Sequence, residues 1–196
     1  MATEILYPAS DSVIALTRNT GANNYGCVNT SDGATSHVSN GTSTNFLADY
    51  YTMTAFVGPG TITNIEAFAV VSEATSVYPG HVELGFKIGV TEYITASQLI
   101  PSAYQYTTFG PATSSYAKVV NTVADTLLVV KLSSGYDSVK NWYLAYCTFL
   151  YCVVTFTPSG GGWVNISKVN GITSASISKV NGIAVANISK INGIAV

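Results

Sequence analysis

Two stretches of the chain alternate cleanly between apolar and other residues. Within residues 62–74, Ile65, Ala67, Ala69 and Val71 fall on one face of an extended chain, and Glu66, Phe68 and Val70 on the other. Within residues 82–88, Val82, Leu84, Phe86 and Ile88 alternate with Glu83, Gly85 and Lys87. A period of two marks a β-strand with one buried face. Shorter candidate strands lie at 37–38, 92–96, 104–109 and 126–132, an aromatic-rich one lies within 46–57, and a long closing one covers 143–157. Residues 5–7 and 12–18 read as opening strands, with Pro8 and Asp11 in the connection between them. Residues 19–26 read as a loop, after which Cys27-Val28 begins an extended piece. Asp32-Gly33, Asn40-Gly41, Gly58-Pro59-Gly60, Pro79-Gly80 and Ser133-Ser134-Gly135 supply turns. Residues 119–125 fit a helical turn or a further strand. About nine strands and no long helical pattern predict an all-β fold over residues 1–158, an antiparallel β-sandwich of jelly-roll type.

Beyond residue 158 the pattern changes. Pro158-Ser159-Gly160-Gly161-Gly162 leads into a Gly-rich linker over residues 159–165. Residues 166–196 then carry an eleven-residue unit, twice in full and once cut short, beginning at Ile166, Ile177 and Ile188. That period also suits a right-handed helical supercoil. However, mid-unit Asn-Gly and the surrounding β-branched residues disfavour a helix. Asn-Gly between apolar residues is instead a strong hairpin signal, because a type I′ turn needs positive φ at both central positions. Turns at Asn170-Gly171, Asn181-Gly182 and Asn192-Gly193 would set Val169 opposite Ile172, Val180 opposite Ile183 and Ile191 opposite Ile194. Lys168, Lys179 and Lys190 would then take the other face. So short a hairpin is marginal in water. The repeats are therefore expected to act as a β-hairpin-like assembly or docking arm, buried through neighbours. A meander packed on its own domain and a disordered tail are the alternatives.

Charge separates the same two parts. Charged residues make up only 9% of the chain, and from Ile166 onward there are three lysines and no Asp or Glu. The body thus holds all 10 acidic residues and the arm three of the 8 basic ones. Such an arm is suited to a negative neighbour, where complementarity steers association. A single arginine, Arg18, and no basic cluster argue against a nucleic-acid partner. Residues 142–156 are apolar but too short for a membrane span. The opening Met-Ala-Thr-Glu-Ile-Leu-Tyr has neither the basic start nor the apolar core of a signal peptide, which suits a particle assembled inside a cell and released by lysis. Cys27, Cys147 and Cys152 make no disulfide framework. On a continuous strand Cys147 and Cys152 fall on opposite faces, so buried free thiols are expected.

Catalytic chemistry finds little footing. His37 and His81 have no Asp or Cys partner nearby in sequence, and no Cys/His set has metal spacing. Glu66, Glu73, Glu83 and Glu92 are scattered, and only their separation in space could make a glycosidase pair. A calcium ion in the loop around Asn29 and Asp32 is the one candidate cofactor, with a single carboxylate to hold it; otherwise none is expected. Tyr50, Tyr51, Tyr104, Tyr106, Trp142 and Trp163 could line a platform for a glycan, or belong to the core or an interface.

The order of several pieces is familiar. Ile5-Leu6-Tyr7-Pro8 comes first, then Gly21-Ala22-Asn23-Asn24-Tyr25 leading to Cys27-Val28-Asn29, then residues 35–39 before 46–57. Ile62-Thr63-Asn64-Ile65-Glu66-Ala67-Phe68-Ala69-Val70, Tyr104-Gln105-Tyr106 and a last strand ending in Thr157-Pro158 follow. Together they resemble the jelly-roll domains of bacteriophage virion structural proteins, the head decoration, fibre and tail components. The Lys-Val-Asn-Gly-Ile tail resembles termini of phage structural proteins. The resemblance implies a structural or adhesive virion part with no catalytic residues to carry over; taken with the repeat arm, the expectation is a non-enzymatic subunit that forms a homotrimer or higher assembly and meets other capsid or tail proteins. The alternatives are an extracellular surface filament built by strand addition and a carbohydrate-binding module.

Overall fold

A computed structural model of the chain describes residues 1–33, 35–58, 60–73, 78–100, 107–113, 125–136 and 142–158. It also describes the pairs 168–169, 172–173, 179–180, 183–184, 190–191 and 194–195; for these pairs, for 107–113 and for 158 the description is of the backbone. The strands are β1 (Ala2–Leu6), β2 (Pro8–Val13), β3 (Thr17–Arg18), β4 (Val38–Asn40), β5 (Leu47–Met53), β6 (Gly60–Glu73) and β7 (His81–Ile88). They continue as β8 (Thr91–Ile94), β9 (Gln98–Leu99), β10 (Thr107–Thr113), β11 (Thr126–Ser133), β12 (Gly135–Tyr136), β13 (Trp142–Tyr143) and β14 (Ala145–Pro158). One 3-10 turn, Tyr25–Cys27, interrupts them, and the described residues contain no α-helix.

The pairing is nested. β4 pairs with β14, β5 with β11, β6 with β10 and β7 with β8, each antiparallel. The chain thus runs out through β4 to β7 and returns beside itself, like one long hairpin doubled over. Further pairing joins these couples into two sheets. One has the order β10-β6-β14-β4-β3, with β1 also on β14, and the other β2-β5-β11-β7-β8, with β9 on β7.

Both sheets supply one core. Ile65, Ala67, Ala69, Val71 and Leu150 come from the first sheet, and Tyr51, Leu84, Phe86, Leu128, Val130 and Leu132 from the second, all buried. This is an antiparallel β-sandwich. Each large side chain so buried contributes about 1.5–3 kcal/mol. The alternation of β6 is as its sequence predicts, with Ile65, Ala67, Ala69 and Val71 inward and Glu66, Phe68 and Val70 half-buried outside. In β7 the inward residues are Val82, Leu84 and Phe86.

Three expectations are corrected, those for Pro8 with Asp11, for Cys27, and for the faces of Cys147 and Cys152. Pro8 and Asp11 do not connect two strands but lie inside β2. A first strand position tolerates proline's missing N–H, and β2 lies at the edge of its sheet. Cys27 closes the 3-10 turn rather than opening an extended piece. Asn40 is the buried end of β4 and also holds the turn expected there: its Oδ1 accepts the Thr42 and Ser43 N–H groups at 3.2 and 3.1 Å, and its amide donates to the carbonyls of Ser43, Asn45 and Leu132 at 3.0, 3.1 and 2.9 Å. Cys147 and Cys152 are not on opposite faces, since both belong to the core. The inward pattern of β14 shifts by one residue between Cys147 and Leu150, where the Leu150 N–H leaves the sheet for the carbonyl of Val28. All three cysteines are free and buried. Residues 119–124, assigned to a turn or strand, and 104–106 lie outside the described residues.

The chain divides into two compact units, Thr3–Phe56 with Ile62–Thr155, and Met1–Ala2 with Val57–Thr61 and Phe156–Val196. In the latter, three separate two-stranded hairpins follow one another: β15 (Lys168–Val169) with β16 (Ile172–Thr173), β17 (Lys179–Val180) with β18 (Ile183–Ala184), and β19 (Lys190–Ile191) with β20 (Ile194–Ala195). Their registers are Val169↔Ile172, Val180↔Ile183 and Ile191↔Ile194, the pairs expected of Asn-Gly turns.

Candidate functional site

The residues named from sequence scatter. Lys168, Val169, Ile172, Lys179, Val180, Ile183, Lys190, Ile191 and Ile194 lie in the hairpin strands, while Ile166, Ile177 and Ile188 fall outside the described residues. So do Tyr104, Tyr106 and Trp163. Tyr51 is not available to a ligand or partner: it is wholly buried and its hydroxyl donates to Asp49 Oδ2 at 2.8 Å. Burial, aided by that carboxylate, raises the phenol well above its ordinary range. Tyr50 is engaged on the outside of its sheet. Its hydroxyl donates to Glu92 Oε1, Lys131 Nζ donates to Glu92 Oε2 at 2.6 Å, and Lys87 Nζ stands 5.1 Å from the ring centre. The Lys131 hydrogen bond holds the Glu92 carboxyl below its usual range, and desolvation with the Glu92 contact pushes Tyr50 to about 12. These strands β5, β11, β7 and β8 are stitched together there by polar contacts.

Of the three that are described, Tyr50, Tyr51 and Trp142, only Trp142 stands in an exposed aromatic group. The register of β12 and β13 sets Tyr136 opposite Trp142 and Gly135 opposite Tyr143. Tyr136 and Trp142 lie 4.7 Å apart at 48°, and Tyr78 stacks on Tyr143 at 5.8 Å and 10°. Tyr78 and Tyr136 are each 38% exposed and Trp142 39%. Beside Tyr78 and Tyr136 lies a cleft of about 480 Å³ lined by these two with His81, Leu99, Ser133 and Ser134, and with Thr44, Pro79 and Gly135.

Local backbone geometry explains why the cleft has this shape. A Cβ on Gly135 would meet the Tyr78 carbonyl oxygen at 1.6 Å, and one on Gly80 the Ser133 carbonyl oxygen at 2.4 Å. Only glycine lets segments 78–80 and 133–135 come this close. Asn40 braces the same wall: the Ser134 hydroxyl donates to its main-chain oxygen at 2.6 Å, and the Ser134 N–H reaches the Ser43 carbonyl at 3.0 Å. Behind the wall sits Glu73, 0% exposed. Its Oε2 accepts the Gly80 N–H at 2.7 Å, and its Oε1 finds no partner among the described residues. Desolvation, only partly offset by the Gly80 bond, raises this carboxyl from 4.5 to about 7.

A second buried carboxylate organises the opposite stretch of chain. Asp49 Oδ1 accepts the N–H groups of Ala15 and Leu16, both at 2.8 Å, and Oδ2 accepts Asn24 Nδ2 at 2.7 Å besides the Tyr51 hydroxyl. Asp11 accepts the Asn24 and Tyr25 N–H groups at 2.9 and 2.6 Å. Both carboxylates serve to pin the loop and the 3-10 turn. Asp32 is likewise spent on its own loop, accepting the Ser36 hydroxyl at 2.7 Å and N–H at 3.2 Å, while Asn29 accepts the Thr30 hydroxyl at 3.1 Å. Among the described residues no three His, Cys, Asp or Glu side chains gather as a metal set would require.

Sequence reading missed Tyr78, Tyr136 and Tyr143. The available signal was an aromatic next to a turn glycine, in Tyr78-Pro79-Gly80 and Gly135-Tyr136. No protein-family model matches the sequence, and no curated protein matches it.

Proposed function

We propose that the chain is a non-enzymatic structural subunit of a virion, a capsid decoration or fibre component. Its jelly-roll body would self-associate, as a homotrimer or higher assembly, or anchor on a neighbouring capsid or tail protein, through the C-terminal hairpins. The strand order supports the jelly-roll reading. β4-β14-β6-β10 in one sheet and β5-β11-β7-β8 in the other is the arrangement a long hairpin adopts when it rolls into two Greek keys.

One observation carries the assembly reading: the same apolar cross-strand pair recurs in three successive hairpins of two-residue strands. None has enough partners of its own to be stable in water. Three like surfaces in a row suit one repeated partner surface, and the lysine beside each pair suits an acidic one.

The test is to replace Gly171, Gly182 and Gly193 together by valine, which resists the positive φ of a type I′ turn. The expected result is a loss of the high-mass species in sedimentation velocity, with the thermal unfolding of the body unchanged. An unaltered mass distribution would remove the hairpins from the account.

A further inference from the structure

We propose that the cleft lined by Tyr78, His81, Leu99 and Tyr136 binds a neutral carbohydrate. This does not depend on the assembly reading, since every lining residue belongs to the sandwich unit.

The size fits first. At about 480 Å³ the cleft falls within the range of small-molecule sites. Its chemistry narrows the ligand. Among the described residues the lining contains no Lys, Arg, Asp or Glu, so none of these would compensate the desolvation of a phosphate, sulfate, carboxylate or ammonium group. What it offers is aromatic faces together with the hydroxyl and imidazole groups of Thr44, Tyr78, His81, Ser133 and Tyr136. A pyranose matches that mixture, with an apolar C–H face to lie against a ring and hydroxyls at its edge that both donate and accept.

The exposure of the aromatics points the same way. Tyr78 and Tyr136 each keep more than a third of their surface in water although rings pair behind them. Rings held so by their neighbours lose little freedom on binding. The close backbone approach at Gly80 and Gly135 fixes the wall before a ligand arrives, so little ordering cost remains.

The test uses the full chain against immobilised neutral oligosaccharides of hexose, N-acetylhexosamine and deoxyhexose units, with the best binder titrated by calorimetry. Saturable binding is expected, weakened about tenfold by Tyr78→Ala and by Tyr136→Ala and untouched by Tyr50→Phe. On the unmodified chain, the bound sugar should protect Tyr78 and Tyr136 from hydroxyl-radical oxidation, a readout independent of whether the variants fold. Absence of binding to any neutral sugar overturns the proposal. So does binding confined to charged sugars or proline-rich peptides, or binding that leaves both tyrosines unprotected. A Tyr136→Ala chain that changes its solution mass would show the cleft to be covered by a second copy, and would overturn it too.

Discussion

Asp49 and Glu73 are both wholly buried carboxyls, yet their surroundings give them opposite consequences. Asp49 is met by four donors, two main-chain N–H groups, an amide and a phenol. Asp49→Asn keeps the shape but turns one acceptor into a donor facing donors. It should lower stability by about 2–4 kcal/mol, read as an earlier urea midpoint with an unchanged slope. A loss below about 0.5 kcal/mol would contradict the pinning role. Among the described residues Glu73 has one donor and an oxygen without a partner, and burial raises its carboxyl from 4.5 to about 7. The unfolded chain releases the carboxyl proton first, so a raised carboxyl favours folding below pH 4.5. That contribution is lost as pH rises from about 4.5 to about 7. Glu73→Gln mimics the neutral acid. The variant should match the native chain at pH 4 and exceed it at pH 8 by on the order of 2–3 kcal/mol; parallel pH–stability curves would contradict this. Neither role was legible in sequence, because nothing local in Ala-Asp-Tyr or Ser-Glu-Ala tells how many N–H groups the fold brings to a carboxylate.

At the level of elements, local pattern carried far where one face is buried. The alternation in β6 and β7 predicted their inward residues, and the Asn-Gly steps predicted the hairpin registers. It failed where a strand breaks its own period. In β14 the one-residue shift after Cys147 turns Cys152 inward as well, which uniform alternation cannot represent. Proline in β2 misled for a related reason, since an edge position removes the usual penalty. The cysteines make this scale testable. Burial pushes Cys147 and Cys152 to about 12 and raises Cys27. Ellman's reagent at pH 8 should therefore find almost no reactive thiol in the folded chain and all three after denaturation. Rapid labelling of Cys147 or Cys152 in the native state would contradict the packing of β14.

The whole molecule depends on contacts distant in sequence. The nested pairing of β4 with β14 and β5 with β11 leaves no trace in any single strand, so the alternation of residues reached the sandwich but could not say which strands pair. The cleft was not legible in sequence, because Tyr78 and Tyr136 come to line it through the approach of two glycine turns that bring segments distant in the chain together. The uneven charge, by contrast, was plain: an arm with three lysines and no acid, and a body that holds all 10 acidic residues. The central claim is that this arm makes the subunit associate. It is tested most directly by light scattering of the full chain and of a chain stopped at Ser159, each at low salt and at about 0.5 M salt, where the screening length falls to a few ångströms. The account predicts a defined oligomer or filament for the full chain, a smaller mass at high salt, and a monomer for the shortened chain in both. Equal masses for the two chains would contradict it.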